Sequence, residues 1–263
     1  MWMRYWKLDR DPFDESTSPF VPLQAHQEAV ARLTESIQSG RRLTRFQERA
    51  GMGKSRVLAE TLNAMRGPGR RVARSTSPLD GASLFADLAA GLGSRVPPGA
   101  SRAVAWRCLG EALRLCRWQR LHVVLAIDDC QDLGDDSDRV DLRRLAHADP
   151  HPSARLSILQ VFREPDDIEE SWVADPWELS IALPALLRSE CERYVTAKLE
   201  AAGRPEPTFT PRAFHRLHAL SEGVPRTLDR LADLALMAGA ARGLEIIPAE
   251  LVEGVSVECR IAL

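Results

Sequence analysis

The stretch "LHVVLAIDD", residues 121–129, constrains the fold more than any other part of the chain. From Leu121 to Ile127 only His122 is polar, and apolar residues do not alternate with polar ones. A strand with one wet face alternates with a period of two, so this run has to be covered on both faces, as in the middle of a parallel sheet flanked by helices. The run then stops on two consecutive carboxylates, Asp128 and Asp129, which the strand would present at its C-terminal end.

The preceding and following segments supply the rest of such a sheet. Residues 26–38 place Val30, Leu33 and Ile37 on one helical face, and "RLTRFQ" (42–47) reads as a strand. Val57, Leu58, Leu62 and Met65 keep helical spacing until "GPG" (67–69) stops them. "RRVARS" (70–75) and "RLSILQVF" (155–162) read as strands; 84–93, about 102–117 and 139–147 read as helices. Strands alternating with helices predict a doubly wound α/β sheet. After Pro184 the pattern is helical only. Leu187, Cys191, Tyr194, Val195, Lys198 and Leu199 share a face, and Thr210 with Pro211 marks a helix start. The expected division is an α/β domain over 1–184 and an all-helical domain over 185–263.

Composition excludes several classes. A net charge of −2 on 263 residues gives no global attraction to nucleic acid or membrane. No apolar run approaches the roughly 18 residues of a spanning helix. Five scattered cysteines without C-x-x-C spacing suggest free thiols. A soluble, cytoplasmic protein is expected.

The chemistry is carried by "QERAGMGKSRV", residues 47–57, between the strand at 42–47 and the helix that follows. Its core, Gly-Met-Gly-Lys-Ser, is the end of a phosphate-binding loop, G-x-x-x-x-G-K-[ST]. Backbone amides of residues 50 to 55 would point into a concavity at a helix N-terminus, where the helix dipole favours anions. Gly51 and Gly53 permit close approach, Lys54 would reach the β and γ phosphates, and Ser55 would hold Mg²⁺. The nucleotide-binding set is Ala50, Gly51, Met52, Gly53, Lys54, Ser55 and Arg56. Only three of the 35 basic residues are lysines (Lys7, Lys54, Lys198), so a lysine at this place is selected for its compact charge. The two acids that end the apolar strand, 74 residues after Lys54, complete the pattern. Asp128 would support Mg²⁺ and Asp129 would polarise the attacking water. Taken singly, the loop could be a surface turn and the acids a solvated helix cap.

With these motifs in place, the chain resembles the ExeA-like (general secretion pathway A type) AAA+ ATPases, within the origin-recognition and transposition-regulator group. "YWKLDRDPF", "AHQEAVARL", "AGMGKS", "IDDCQDL", "ERYVTAKLEAAG" and "HALSEGVPRTLDRLADLALMAGAARG" are similar to family segments in the same order. The resemblance implies a P-loop AAA+ sheet with a helical lid, ATP and Mg²⁺ as cofactors, and a second-sensor role for Arg226, reaching the γ-phosphate. Arg163 is the counterpart of a first sensor. There are departures. Glu48 stands where the first loop glycine belongs, adding a carboxylate near the triphosphate unless it turns outward to Arg45 or Arg49. Asp129 replaces the usual glutamate, and "DPWELS" lacks the arginines that serve a neighbouring subunit in the family.

The expected function is therefore an AAA+ ATP-binding protein with slow Mg²⁺-dependent hydrolysis, its nucleotide state controlling assembly with a protein partner or with further copies of itself. Two alternatives stay open. One is a pseudo-ATPase scaffold, motivated by Glu48 and Asp129. The other is a DNA-binding, transposition-type regulator, motivated by Arg41, Arg42, Arg45, Arg49, Arg56, Arg70, Arg71 and Arg74, and less favoured than a solvated arginine-rich surface.

Overall fold

The structure, a computed structural model, describes residues 2–14, 16–76, 78–133, 136–163 and 178–259. In chain order the elements are α1 (Trp2–Tyr5), α2 (Gln24–Gln38), β1 (Leu43–Glu48), α3 (Lys54–Ala64), β2 (Arg70–Thr76), α4 (Gly81–Gly91), α5 (Arg102–Trp118) and β3 (His122–Asp128). A short 3-10 turn (Cys130–Asp132) leads to α6 (Asp136–Ala146), β4 (Arg155–Arg163), β5 (Leu179–Ala182), α7 (Arg188–Ala201), α8 (Pro211–Ser221), α9 (Pro225–Ala241) and α10 (Ala249–Cys259). These pack as two compact units. One holds His26–Ala50 and Lys54–Leu183; the other holds Met1–Ala25, Gly51–Gly53 and Pro184–Leu263.

The α/β unit is built on a parallel sheet in the order β2-β3-β4-β1-β5. All seven residues of β3 are buried, as its unbroken apolar run requires. In β4 only the terminal Arg155 and Arg163 are exposed. Leu84, Phe85 and Leu88 of α4 and Leu109 and Leu113 of α5 pack with Val123, Leu125 and Ile127 of β3. Helix α4 begins three residues before its apolar periodicity suggests, because Asp80 caps it: Ser83 N–H donates to Asp80 Oδ1 at 2.7 Å, and Ser83 Oγ accepts from Asp80 N–H at 3.1 Å.

The helical unit closes a second core of α7 to α10. Thr210 caps α8 through Oγ1, which accepts from Ala213 N–H at 3.1 Å, and Pro211 follows at the first helical position. Residues 2–25 belong to this unit. Trp6 is fully buried there, donating Nε1–H to Leu236 O at 2.8 Å, and the Asp9 N–H donates to Ala202 O at 2.9 Å. Lys198 is buried as well; its Nζ donates to Asp229 Oδ2 at 2.8 Å, an oxygen that also accepts from Tyr194 OH at 3.0 Å.

One core group makes the sheet acid-sensitive. His122, 2% exposed at the start of β3, has Nε2 3.0 Å from Ser157 Oγ. Burial first, then Arg155 and Arg70, hold its pKa down at about 4. The folded protein thus keeps the imidazole neutral, while the unfolded chain takes up a proton near pH 6.5. Stability should be intact above pH 6.5 and fall by on the order of 2–3 kcal/mol as pH drops from there to 4. Urea unfolding over this range should show that fall in the wild type and a shallower one in His122→Gln; identical pH slopes would contradict it.

Candidate functional site

Strand order decides which chain ends meet at the sheet's C-terminal edge in the α/β unit. Strand β4 lies between β1 and β3, and Glu48 at the end of β1 is in register with Arg163 at the end of β4. Residues 49–53 connect β1 to α3, with Gly51 at φ +82° and Gly53 at φ +88°, a region that side chains other than glycine enter at a cost. Lys54, 8% exposed, opens α3 and turns its ammonium back under the connection, where Nζ donates to Glu48 O at 2.6 Å and Arg49 O at 2.8 Å. Burial pulls its pKa down; the carboxylates of Glu48, Asp129 and Asp128 push it back up, in that order, and Arg163 lowers it. One ammonium therefore sits in the field of three carboxylates gathered from β1 and the end of β3. Ser55 is exposed on the first turn of α3, Arg56 is half-buried and Ala50 is exposed.

The two acids differ sharply. Asp128 is 2% exposed. Its Oδ2 receives the guanidinium of Arg74 at 2.6 Å, and its Oδ1 accepts from Asp129 N–H at 3.2 Å. Asp129 leaves the strand in the left-handed region, φ 52° and ψ 45°, which Asp tolerates better than most residues. Its Oδ1 accepts from Gln131 Nε2 at 3.0 Å and lies 3.5 Å from Arg163 Nη2. Gln131 also accepts from Arg163 N–H at 2.7 Å, so it ties the end of β3 to the end of β4. Cys130, fully buried beside the acids, has its thiol pushed up by burial and is an inert packing group.

Several site expectations are refined by this geometry. Glu48 does turn toward Arg49, but to its backbone: Oε1 accepts from Arg49 N–H at 3.0 Å. Gln131 was not among the expected site residues, although it follows the acids directly; only its position one turn past β3 could have flagged it. Arg74, one of the arginine cluster noted in the sequence, is aimed by the sheet at Asp128. Others of that group also make contacts within the α/β unit. Arg41 donates to Glu178 O, Arg42 donates to Ala146 O and Asp149 O, and the Arg45 guanidinium lies 5.0 Å over the Phe162 ring. Asp175-Pro176-Trp177, the first half of the "DPWELS" segment that lacks the family's arginines, lies outside the described residues.

Oxygen donors at Ser55 and Asp128 are of the type that a hard cation such as Mg²⁺ prefers. Asp128 nevertheless does not fit that role as arranged, since one oxygen carries a guanidinium and the other a backbone amide.

In the helical unit, Arg226 opens α9 directly after the buried Pro225 and is exposed. Its backbone N–H donates to Gly51 O at 3.1 Å. Met52, 1% exposed, is buried in the same unit, which also contains Gly53. Arg226 further lines a hollow of about 260 Å³ with Asp11, Phe13, Asp229 and Asp233. Burial first, then Asp11 and Asp229, raise the Asp233 carboxyl to about 6.

No protein-family profile matches the chain. Over 58 residues, 22% of this chain, it is 43% identical to general secretion pathway protein A of Aeromonas hydrophila; the match spans 11% of that protein's length. Among solved structures, the Aeropyrum pernix Orc1 protein in complex with DNA is similar with a TM-score of 0.74 at 17% identity, over 94% of this chain and 68% of that one. Cdc6p of Pyrobaculum aerophilum gives 0.69 at 16% identity, over 90% and 67% of the two chains. The Thermotoga maritima RuvB Holliday junction branch migration motor gives 0.54 at 12%, over 91% and 70%. At such identities the likeness is one of fold. The chain has the fold of the Orc1 and Cdc6 proteins, with sequence likeness to general secretion pathway protein A over the matched segment. No helix among the described residues is long and apolar enough to cross a membrane.

The close approach at Gly51 gives a structural test. A Cβ there would lie 2.9 Å from Arg226 Cβ, on backbone already at positive φ. Gly51→Ala should lower unfolding free energy by about 1–3 kcal/mol, measured by urea denaturation. An unchanged midpoint would show that this contact is not held.

Proposed function

We propose that the chain is an ATP-binding AAA+ protein that hydrolyses ATP slowly and uses its nucleotide state to control assembly with a protein partner or further copies of itself. The observation that carries this reading is the placement of Lys54: a buried ammonium at the first residue of α3, under a glycine-bearing connection, in the field of Asp128 and Asp129. Lysine is the residue for this task because its compact charge with three donors can exchange loop carbonyls for phosphate oxygens. The amides of residues 50 to 55 and the N-terminus of α3 would supply the remaining donors.

Asp129 is the proposed base that orients the attacking water, and Gln131 and Arg163 hold its carboxylate. That grip accounts for slow turnover: the side chain is one methylene shorter than a glutamate, and its Oδ1 already accepts from Gln131. Arg226 is proposed as the residue through which the helical unit responds to the phosphates; its backbone bond to Gly51 O ties α9 to a residue of the proposed phosphate loop. The same engagement of Asp129 also favours the second reading, a scaffold that binds nucleotide without turnover.

Lys54→Ala should weaken ATP binding at least tenfold, about 1.4 kcal/mol or more, because no nearby arginine can place a point charge in that position. Calorimetry giving equal affinities for wild type and variant would end the nucleotide reading.

Turnover separates the two readings. Asp129→Asn should leave ATP affinity nearly intact and lower phosphate release on the order of tenfold or more. Asp129→Glu should raise release by extending the carboxylate past the grip of Gln131. A wild type with no measurable release, and none recovered in Asp129→Glu, would establish the scaffold; a wild type that turns over and ignores Asp129→Asn would remove Asp129 as the base.

A further inference from the structure

The ion pair between Arg74 and Asp128 has no part in the mechanism above, yet it sits at its centre. Arg74 lies on β2 two residues before the strand ends, in register with Ala126, while Thr76 faces Asp128. From there its Nη2 reaches Asp128 Oδ2 at 2.6 Å, with side-chain exposures of 29% and 2%. Asp128 Oδ1 is committed to the Asp129 amide at 3.2 Å. Mg²⁺ gives up its water reluctantly and requires near-octahedral oxygen geometry, so a carboxylate with both oxygens engaged, one of them by a cation, is a poor ligand for it.

We infer that Arg74 is the resident cation of Asp128, and that it makes nucleotide binding at this loop largely independent of divalent metal. The inference deepens the proposed ATP site and rests on it. Asp128 then acts as a positioning residue. It balances Arg74 and, through Oδ1, holds the Asp129 amide and so the left-handed turn that carries Asp129. The positive charge that a nucleotide triphosphate needs comes from Lys54 and the α3 N-terminus rather than from a metal held by this acid. Removing Arg74 would uncover a buried carboxylate at the end of β3 with Ser55 as the other oxygen donor proposed for a metal, and a divalent ion would be its natural replacement.

The test is ATP affinity by calorimetry in excess Mg²⁺ and in EDTA, for wild type, Arg74→Ala and Arg74→Lys, with Mn²⁺ electron paramagnetic resonance in the presence of ATP as a second readout. Wild type should bind within about threefold in the two buffers and show no protein-dependent Mn²⁺ signal beyond that of the Mn²⁺–ATP complex. Arg74→Ala should bind at least tenfold better with Mg²⁺ than without, and Arg74→Lys should behave as wild type. Wild-type affinity that collapses tenfold or more in EDTA overturns the inference while leaving the ATP site standing. Absence of binding in both buffers overturns the ATP site, and the inference with it. Because the wild type alone can overturn the inference, and Arg74→Lys tests the cation at this position, the inference stays falsifiable even if Arg74→Ala fails to fold.

Discussion

A carboxylate at the end of a strand buried on both faces has to be neutralised where it stands, and the chemistry of this edge is arranged around that requirement. Asp128 closes seven consecutive buried residues and is itself almost wholly shielded from water. Leaving it unpaired would cost several kcal/mol, so the sheet brings a partner from the neighbouring strand. Arg74 can serve because β2 runs parallel to β3 in register, its long side chain reaching forward along the strand to the acid. Satisfying Asp128 fixes the Asp129 amide, and with it the turn that hands the second acid to Gln131 and Arg163 at the end of β4. The edge is thus one connected polar network across β2, β3 and β4.

Much of the fold was legible in the sequence because it is written in burial. The run from Val123 to Ile127 can only be a two-sided buried strand, and β4 is marked the same way by "LSILQVF". Thr210-Pro211 announced α8 through capping chemistry that works locally. What stayed hidden depends on partners distant in sequence. The start of α4 shifted because Asp80 and Ser83 exchange hydrogen bonds, an effect that outweighs an apolar period of only a few residues. Residues 2–25 joined the helical unit because Trp6 finds its apolar pocket and its acceptor, Leu236 O, some 230 positions away. No local pattern reports such a pairing.

The candidate site divides along the same line. Lys54 with its glycines and the pair Asp128–Asp129 are local motifs, so they could be named from the sequence. Arg74 and Gln131 are defined by strand order: with β2 beside β3, and β4 on its other side, each becomes a neighbour of the acids. An arginine in an arginine-rich chain carries no signal of its own; only the sheet order places it at Asp128. Glu48 shows the converse. Its charge looked hostile to a triphosphate, but its carboxylate accepts from the Arg49 amide, and it is the leading group supporting the charged form of Lys54.

The scarcity of lysine then acquires a physical meaning. Two of the three lysines, Lys54 and Lys198, are buried, and each holds its ammonium against close oxygen acceptors. Lys54 reaches two carbonyl oxygens only one residue apart, and Lys198 donates to Asp229 Oδ2 while lying 4.6 Å from the Tyr194 ring centroid and 5.5 Å from that of Phe13. Arginine serves elsewhere: Arg74 across strands, Arg42 to two carbonyls, Arg204 over the Trp6 ring. At the sheet's C-terminal edge this leaves Lys54 on carbonyl oxygens and Arg74 on a carboxylate. An ammonium resting on carbonyls can release them for a stronger acceptor with little rearrangement. A guanidinium paired with a buried carboxylate gives up its partner only by leaving that charge uncompensated. At the C-terminal edge of this sheet the mobile cation is therefore Lys54 and the fixed one is Arg74.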